Sequence, residues 1–437
     1  MKKEILKDKN YTHLDIRKHH QDYETRIKNI KWVSHHGFYP FIHFEVNLDK
    51  YVDSDNGKHI KSKTREIYYS AHVDRYIYEY YGSQLNTAYN RFVNSTGIGK
   101  VSIAYRNNTP GKCNIHFAKD AFEFICSCKS AYVFVGDFSN FFDKLDHKYL
   151  KETLKTVLDK KELNQAEYAI YKNITHFTYV EAKDIEIFKG KTRVEMRNLD
   201  KYFDTQEFQV FKKTHLKKNE NDYGIPQGSS ISSVYANVYM IHFDKMMNDL
   251  ATSNGGLYRR YCDDIIFVIP CTNDDIQNKT YNEITERIFA IKDRIKNLEL
   301  NEDKTEQFYY NDGSLIKLAG DGSAINYLGF TFDGKEVRIR EKSLFKYYNR
   351  AYKKIRRVNA SKTEGGYIAG KKAVYKSYTH LGNTKSKKTY GNFLTYAYKA
   401  QRIFDESDCL VCGIKKQVKG HWNKINNRLC WDPDLGE

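Results

Sequence analysis

Two adjacent acidic residues between two short predicted strands constrain the fold more than any other feature of this sequence. Residues 257–261 and 265–269 flank Cys262-Asp263-Asp264. The pattern predicts a β-hairpin with both carboxylates at its tip, where we expect them to be displayed rather than buried. Because neighbouring residues on a strand point to opposite faces, Asp263 and Asp264 can share one site only if the turn reorients one of them, or if one acts indirectly.

A third acid is predicted to converge on this hairpin. Residues 132–135 form a short apolar run that ends at Gly136-Asp137, which indicates a buried strand with a carboxylate at its carboxyl end. Clustered carboxylates repel one another unless cations neutralise them, and hard oxygen ligands suit Mg²⁺ better than Zn²⁺. The chemistry indicated is two-metal phosphoryl transfer. An Asp-Asp pair alone is weak evidence, since surface turns often contain one.

The remaining pattern predicts an α+β protein with a helical, basic carboxyl-terminal part. We expect helices over 146–158 and 231–250, and a polar, irregular elaboration projecting from the core over 181–221. A strand pair is expected across 325–332 and 336–339. One helix face is predicted from Ile284, Ile288, Ile291, Ile295 and Leu298, and another beyond residue 342 from Leu344, Tyr348, Ala351 and Ile355.

Positive charge is concentrated near the carboxyl end. The 437 residues include 72 Lys and Arg against 55 Asp and Glu, a net charge of +17, and 23 basic but only 5 acidic residues lie between Arg338 and Arg428. Aromatic residues are interleaved there: Tyr347, Tyr348, Tyr352, Phe393, Tyr396 and Tyr398. This composition favours a surface that grips a polyanion and stacks on bases, and we expect Lys353, Lys354, Arg356 and Arg357 to bind nucleic acid. The alternative is a solvated charged face.

Neither a membrane protein nor a disulfide framework is indicated. No uncharged apolar run approaches the roughly 20 residues of a membrane helix, and no apolar stretch follows the basic residues at the amino terminus, so we expect a cytosolic protein. The 8 cysteines are then expected to be reduced thiols. Cys409, Cys412, His421 and Cys430 are candidate zinc ligands, although their spacing fits no standard zinc knuckle and thiols in a small core are the favoured interpretation.

Six ordered sequence blocks between about residues 60 and 340 resemble those of reverse transcriptases. The most specific is Tyr261-Cys262-Asp263-Asp264, which is similar to the YxDD signature of that family. The others are the fingers segment Lys63-Thr64-Arg65-Glu66-Ile67 with Asp74-Arg75, the first-aspartate block 135–143, the PQGxxxS-like block 225–232, the LxLNxxKTE-like block 298–306, and the primer-grip hairpin Tyr327-Leu328-Gly329-Phe330.

The resemblance implies a right-hand polymerase with a two-Mg²⁺ centre. We expect an amino-terminal extension over 1–60, fingers over 61–130, a ferredoxin-like palm over 131–340 and a mainly helical basic thumb over 341–437. Asp137, Asp263 and Asp264 would hold the two ions, with the Phe138 carbonyl as a further ligand. Lys304 would protonate the departing pyrophosphate.

The resemblance also implies a nucleotide pocket. Lys63 and Arg65 would clamp the triphosphate, and Arg has the fork geometry for this role. Gln227 and the Gly228 backbone would shape the pocket. Phe142 occupies the steric-gate position, where a bulky ring excludes a ribose 2′-hydroxyl; ordinary core packing with Phe138 and Phe141 is the alternative.

The subtype that the sequence resembles is the defence-associated one. Gly111-Lys112-Cys113-Asn114-Ile115-His116-Phe117-Ala118-Lys119 looks like the corresponding stretch of prokaryotic abortive-infection reverse transcriptases, and the retron VTG triplet is not found after the last palm block. That group implies a noncoding RNA template, dNTP substrates, a cDNA product and a role in antiphage defence. The alternatives are a retron-like or intron-derived polymerase and an RNA-binding scaffold without polymerase activity.

Overall fold

The strands and helices of the protein are distributed over two units in a computed structural model. The structure describes residues 6–54, 57–320, 322–361, 370–382 and 391–430, with the side chains of all of these except 48–54, 57–63, 303 and 430. The first unit comprises Met1–Thr109, Phe138–Met247 and Arg287–Glu299, and the second comprises Pro110–Asp137, Asn248–Glu286 and Leu300–Glu437. Each unit is therefore built from segments that are distant in sequence.

The elements are numbered in chain order. The strands are β1 Phe41–Ser54, β2 Gly57–Tyr69, β3 Ser130–Asp137, β4 Thr178–Glu181, β5 Lys217–Lys218, β6 Leu257–Tyr261, β7 Asp264–Pro270, β8 Glu306–Asn311, β9 Ser314–Ala319, β10 Ile325–Tyr327, β11 Phe330–Phe332, β12 Glu336–Ile339 and β13 Val411–Cys412. The helices are α1 Glu24–Lys28, α2 Ile30–Ser34, α3 His72–Ser95, α4 Asn114–Ser127, α5 His147–Leu158, α6 Gln165–Thr175, α7 Ala182–Lys189, α8 Thr205–His215, α9 Ser232–Tyr239, α10 Ile241–Ser253, α11 Asn273–Gln277, α12 Tyr281–Asp293, α13 Glu341–Asn359, α14 Lys371–Tyr378, α15 Phe393–Phe404, α16 Ile414–Val418 and α17 His421–Cys430.

A five-stranded antiparallel sheet forms the centre of the second unit. Its order is β6-β7-β3-β8-β9, so β3 lies between β7 and β8. Alternate residues of β3 and β7 share one face, where Val133, Val135, Ile266 and Val268 join the buried cluster that also contains apolar residues of α4. On the opposite face Phe134 and Ile265 are completely buried as well, so both faces of these strands are packed, and a slip of one residue would exchange the side chains of the two faces.

The sheet of the first unit combines the amino-terminal hairpin with two later strands. Its order is β2-β1-β4-β5, with β1 and β2 antiparallel and β1 and β4 parallel. The predicted boundary at residue 60 falls inside β2, and the division into extension, fingers, palm and thumb stays a prediction. The helix predicted over 146–158 is α5, whose amino end is capped by the Asp146 carboxylate accepting from the Tyr149 amide.

The elaboration over 181–221 differs from its prediction. It contains α7, α8 and β5, and the stretch 190–204 between the two helices is irregular. Met196, Phe203 and Phe211 are buried in one cluster with Ile42 of β1, so the segment helps to form a core instead of only projecting from one. Its many charged residues concealed the widely spaced apolar ones that pack inward.

Three predicted elements have different bounds in the structure. The helix predicted over 231–250 is two helices, α9 and α10, with a break at Met240. Helix α12 ends at Asp293, so Ile295 and Leu298 are buried beyond the helix end. The segment 325–332 is a hairpin of β10 and β11, which turns at Leu328-Gly329 where both residues have positive φ.

The carboxyl-terminal part is mainly helical, as expected, but its aromatic residues pack inward. Ala351 and Ile355 of α13 are buried with residues of α14 and α17. Tyr347 is buried in place of the predicted Leu344 and Tyr348, which are half-buried. The six interleaved aromatic residues pack in or against two buried clusters and so support the fold. Only Tyr347 is fully buried and the other five are half-buried, so stacking on bases stays a prediction. No helix in the described ranges is long and apolar enough to cross a bilayer.

Candidate active site

The predicted hairpin exists, and its turn separates the two acids. Tyr261 of β6 pairs with Asp264 of β7, so Cys262 and Asp263 form a two-residue turn. Cys262 has a φ of 62°, in the left-handed region that non-glycine residues seldom adopt. Asp263 therefore lies in the turn and Asp264 on the strand, so the two acids do not follow the alternation of a regular strand.

Asp137 and Asp264 lie directly opposite each other on neighbouring strands. Antiparallel pairing of β3 with β7 places these two residues in register, and directly opposite side chains share one face of a sheet. Asp137 is only 7% exposed and Asp264 is half-buried. The expectation that the two hairpin acids are displayed is therefore only partly right, because Asp264 is half-buried on β7. Asp137 is itself buried at the end of β3, the strand that the sequence predicted to be buried.

Asp264 has a strongly perturbed acidity. Burial is the main cause that raises the pKa of Asp264 to about 7, the charge of Asp263 raises it further, and the positive charge of Arg340 acts in the opposite direction. A carboxyl group in this state gains greatly from a nearby cation, because the cation offsets both the lost hydration and the repulsion. The site thus favours binding of positive charge.

Lys304 belongs to the same site. It ends a short 3-10 turn, Glu302–Lys304, and its ammonium group forms an ion pair with the Asp137 carboxylate. The Asn301 amide donates to the Asp137 carbonyl at 2.7 Å, which fixes the start of this turn against the end of β3. The contacts of Asp137 thus connect the sequence block 135–143 with the block 298–306.

The donor set suits a hard divalent cation. In the described part of the chain, no three carboxylate, imidazole or thiol groups are gathered tightly enough to hold a metal ion. Asp137 and Asp264 nevertheless share a sheet face, with Asp263 on the adjoining turn, and all three offer oxygen ligands. Carboxylate oxygens without nearby imidazole or thiolate ligands fit Mg²⁺ rather than Zn²⁺.

The aromatic residues predicted near the nucleotide lie in the first unit. Phe138 is buried and its ring packs on Phe141 and Phe243. Phe142 is half-buried, and its backbone carbonyl accepts from the Ile225 amide at 2.9 Å. The rings of Phe138 and Phe141 therefore belong to the core. The ring of the half-buried Phe142 packs edge-on against Phe141 with the ring centres 5.7 Å apart, so its steric-gate role stays a prediction.

Gln227 and Gly228 are held against β2. The Tyr68 amide donates to the Gln227 carbonyl at 2.8 Å. Gly228 has a φ of 123°, and a Cβ there would lie 2.4 Å from the Tyr68 carbonyl oxygen, so only glycine fits. Glycine is thus required here because the Gly228 backbone lies close to the backbone of β2. Arg65 is exposed on β2, and Lys63 lies on the same strand with a side chain outside the described residues.

Cationic side chains of α13 line an open groove of about 520 Å³, which we call the basic groove. Its lining includes Arg350, Lys353, Lys354, Arg357 and Tyr378. Arg356, which the sequence prediction grouped with these cations, is exposed but does not line the groove. The prediction missed Arg350, although helical spacing could have found it, because residues three and seven positions apart share a helix face.

The four candidate zinc ligands do not form a site among the described residues. Cys409 is exposed and Cys412 is half-buried. His421 is engaged elsewhere: its Nδ1 lies 2.9 Å from the Val418 carbonyl and its Nε2 lies 3.2 Å from Nδ1 of His380. The side chain of Cys430 lies outside the described residues.

Solved structures of yeast telomerases are similar to this chain at low identity. Apo telomerase from Candida tropicalis, truncated from its C-terminal domain, has a TM-score of 0.40 and 14% identity over 67% of this chain and 55% of that chain. Telomerase from Candida albicans in complex with a fragment of telomeric RNA has a TM-score of 0.41 and 11% identity over 93% of this chain and 59% of that chain. This chain therefore spans little more than half the length of these proteins. No curated protein sequence matches it significantly.

A protein-family model matches the chain over residues 106–332. Its description is reverse transcriptase (RNA-dependent DNA polymerase), and the match covers more than half of the chain. The matched range contains Asp137, Asp263, Asp264 and Lys304, and it extends through β11. Together with the mixed α and β architecture, this match confirms the predicted fold class. The chain belongs to the reverse transcriptase family of RNA-dependent DNA polymerases.

Proposed function

We propose that Asp137, Asp263 and Asp264 hold two Mg²⁺ ions and that the protein uses this centre to extend a primer on an RNA template. The observation that carries the proposal is the pairing of Asp137 with Asp264 on one sheet face. Lys304 pairs with Asp137, but burial and the charge of Asp263 still raise the pKa of Asp264, so a further cation would offset the repulsion between the acids. A scaffold that only binds RNA has no use for such an arrangement, so the geometry favours the polymerase over the scaffold.

Each acid has a distinct place in the proposed centre. Asp137 ends β3 and Asp264 begins β7, so both are held rigidly by the sheet, while Asp263 is held by the turn. The Phe138 carbonyl is the proposed further ligand. The chemistry that Mg²⁺ supplies when bound is acidification of the primer 3′-hydroxyl and neutralisation of the leaving pyrophosphate.

Lys304 is the proposed proton donor to the pyrophosphate. Its ion pair with Asp137 holds the ammonium group close to the acidic site. When the incoming triphosphate competes for this cation, the ammonium group can turn toward the phosphates without leaving the site. Lysine suits the role because its ammonium group, unlike a guanidinium group, can lose a proton.

The nucleotide is selected by residues of the first unit in this proposal. Lys63 and Arg65 of β2 clamp the triphosphate, and Gln227 with the Gly228 backbone shapes the pocket. The half-buried ring of Phe142 excludes the ribose 2′-hydroxyl. Support comes from the hydrogen bond between Tyr68 and Gln227, which ties the pocket-forming loop to the strand that carries Arg65.

The basic groove is the proposed site for the nucleic-acid backbone. Arg350, Lys353 and Arg357 line it from one helix, and the groove is open enough to admit phosphates. Contacts between lysine or arginine and phosphates position a nucleic acid without reading its sequence. Selection of one template then depends on its shape, which is why we propose a structured noncoding RNA as template and cDNA made from dNTPs as product.

The proposed biological setting is antiphage defence in the cytosol of a bacterial host. Support comes from the segment 111–119, which resembles the abortive-infection group and includes the first residues of α4. A retron-like or intron-derived polymerase shares the acidic centre but copies other RNA. The two are distinguished by the nucleic acid that the protein carries.

Two experiments test the proposal. The first is primer extension with purified protein, for which we expect incorporation of dNTPs on an RNA template that stops when Mg²⁺ is chelated and resumes when it is restored. Failure to extend any primer on RNA would contradict the polymerase assignment. The second is sequencing of RNA and DNA recovered with the protein from its host, combined with phage challenge. One dominant RNA with its cDNA and loss of protection on Asp263→Ala support defence, whereas a heterogeneous RNA pool with unaltered phage growth contradicts it.

A further inference from the structure

The turn that carries Asp263 adopts a backbone conformation that is unfavourable for its sequence. Cys262 has a φ of 62°, whereas Asp263 is not among the residues with positive φ. A two-residue hairpin turn in which only the first central residue has positive φ corresponds to type II′, where glycine normally occupies that first position. A cysteine remains in this conformation only where its surroundings strongly determine it.

Arg260 provides such a determinant. It is the second-last residue of β6, its side chain is completely buried, and its Nη1 donates a hydrogen bond to the Cys262 carbonyl at 2.9 Å. A guanidinium group is always charged, so burying it is unfavourable unless its donors find acceptors. The Cys262 carbonyl is one of these acceptors, and it belongs to the central peptide of the turn.

Arg260 reaches the turn from the face opposite to the acids. It pairs across the hairpin with Ile265, whereas the next pair is Tyr261 with Asp264. Because side chains alternate along a strand, Arg260 and Ile265 share one face of the sheet while Asp264 and Asp137 share the other. Arg260 therefore holds the backbone from behind and lies away from the face on which the carboxylates meet.

The bond to the carbonyl determines the conformation of Asp263. Rotation of the central peptide converts a type II′ turn into type I′, and this rotation changes φ of the second central residue from negative to positive. The same rotation reverses the direction of the Cys262 carbonyl. Because Arg260 binds that carbonyl, the conformation with negative φ at Asp263 is the one it stabilises.

Packing next to Arg260 leaves little room for an alternative. Ile265, its partner across the hairpin, lies opposite Gly136 of β3. A Cβ at Gly136 would lie 3.3 Å from the Ile265 side chain and 3.2 Å from that of Phe134. This face of the sheet is therefore tightly packed around Gly136 and Ile265, next to Arg260.

We propose that Arg260 is a positioning residue that fixes the Cys262-Asp263 peptide so that the Asp263 carboxylate is aimed at the metal centre. This inference rests on the proposed role of Asp263 as a metal ligand. Arg260 is buried and lies outside the acidic face. In this proposal it assists metal binding through the backbone of the turn and contacts neither the metal nor the substrate.

The test compares Arg260→Met, Arg260→Lys and the double variant Arg260→Met with Cys262→Gly, all in the full chain. Mn²⁺ binding is measured by electron paramagnetic resonance without substrate, and kcat and KM for dNTP are measured separately. We expect Arg260→Met to bind Mn²⁺ about 10- to 100-fold more weakly and to lose a similar factor in kcat with little change in KM. Arg260→Lys should lose less, since an ammonium group can still donate one bond.

The glycine variant separates positioning from general packing. Glycine at the first central position of a type II′ turn needs no support, so Cys262→Gly should restore much of the Mn²⁺ affinity that Arg260→Met loses. No restoration would overturn the proposal in favour of a role in core stability alone. If Arg260→Met does not fold, the folded Arg260→Lys variant decides: weaker Mn²⁺ binding supports the proposal, and wild-type affinity overturns it.

Failure of this inference is distinguishable from failure of the proposed function. An active wild-type protein together with a folded Arg260→Met variant of equal Mn²⁺ affinity and equal kcat overturns only the role of Arg260. A wild-type protein that neither polymerises nor binds Mn²⁺ overturns the metal centre itself, and with it the role assigned to Arg260.

Discussion

Two regions of the protein position charged side chains by different means. One is the carboxylate hairpin, which consists of β6, β7 and their turn, and the other is the basic groove of α13. In the hairpin, strand register sets Asp137 opposite Asp264, and a shift of one residue would move an acid to the other face. In the groove, Arg357 lines the cavity while the adjacent Arg356 does not. In both regions, a difference of one position along the chain decides on which side a charged side chain lies. Only in the sheet are two like charges placed opposite each other and also partly removed from water.

This difference predicts different responses to solvent. The acids of the hairpin have reduced exposure, and burial raises the pKa of Asp264. Interactions between buried charges are screened little by salt, whereas exposed cations that contact phosphates depend steeply on ionic strength. We therefore expect changes in the hairpin to alter catalysis at any salt concentration and changes in the groove to alter binding mainly as salt rises.

The largest expected effect is loss of polymerisation when the hairpin loses its acids. Asp263→Ala combined with Asp264→Ala should lower dNTP incorporation at least about 10³-fold, because stabilisation worth several kcal/mol is removed from the transition state. The matched control replaces Asp274 and Asp275, another adjacent acidic pair of the same unit, which lies in α11 away from the hairpin. Primer extension at low and high salt measures both. Equal activity of the two double variants would contradict the assignment of the metal centre.

The groove should control salt dependence rather than chemistry. Replacing Arg350, Lys353 and Arg357 by Gln should weaken binding of an RNA–DNA duplex and make the plot of log affinity against log salt shallower by about 1 to 3, since each phosphate contact contributes roughly 0.9 on a duplex. Arg356→Gln is the matched control, because Arg356 is exposed on the same helix but outside the groove. If the slope changes as much in the control as in the triple variant, exposed cations of the helix bind the duplex whether or not they line the groove, which contradicts a role for the groove geometry.

The sequence predicted the hairpin better than it predicted the groove, for a physical reason. Strands alternate with a period of two, and the order of the sequence blocks predicts that Asp137, Asp263, Asp264 and Lys304 belong to one site. Burial of Asp137 was not predicted, because exposure depends on what packs over a strand. The prediction placed Arg356 and Arg357 in the same nucleic-acid-binding group because they are adjacent in sequence. Residues that share one face of a helix are instead three or four positions apart.

Long-range packing explains the other differences. The core formed by Phe203, Phe211 and Ile42 joins residues more than a hundred positions apart, and no local periodicity reveals such contacts. Arg260 is a comparable case: it lies in the predicted strand 257–261, and its complete burial behind the turn depends on packing that the local sequence does not show. Only the three-dimensional structure separates it from the half-buried Arg259.

Phe142 tests a side chain that is neither charged nor fully buried. Phe142→Ala should lower the preference for dNTPs over rNTPs by about tenfold or more, because removing the ring makes room for a 2′-hydroxyl. Phe142→Tyr keeps a ring of nearly the same shape and should retain the preference. Single-nucleotide incorporation measures both. Unchanged discrimination in Phe142→Ala would assign this ring to core packing, like those of Phe138 and Phe141.

The smallest expected effect concerns Lys354, which lines the groove but also supports the fold. Its ammonium group donates to the Ala373 carbonyl and the Ser377 hydroxyl of α14, each at 3.3 Å, and lies 5.9 Å from the ring centre of Tyr378. Lys354→Met should therefore lower the free energy of unfolding by about 0.5–1 kcal/mol, since the apolar stem is kept and only these polar contacts are lost.

The matched control for Lys354 is Lys353→Met, which removes an exposed groove cation on the neighbouring position of the same helix. Denaturant unfolding measures stability, and duplex binding across a salt series measures the groove. We expect Lys353→Met to change the salt slope with little effect on unfolding, and Lys354→Met to do the reverse, because the ammonium group of Lys354 is already engaged by α14. If both variants change only the salt slope, the contacts of Lys354 with α14 contribute nothing measurable, and all lining cations of the basic groove act on the nucleic acid alike.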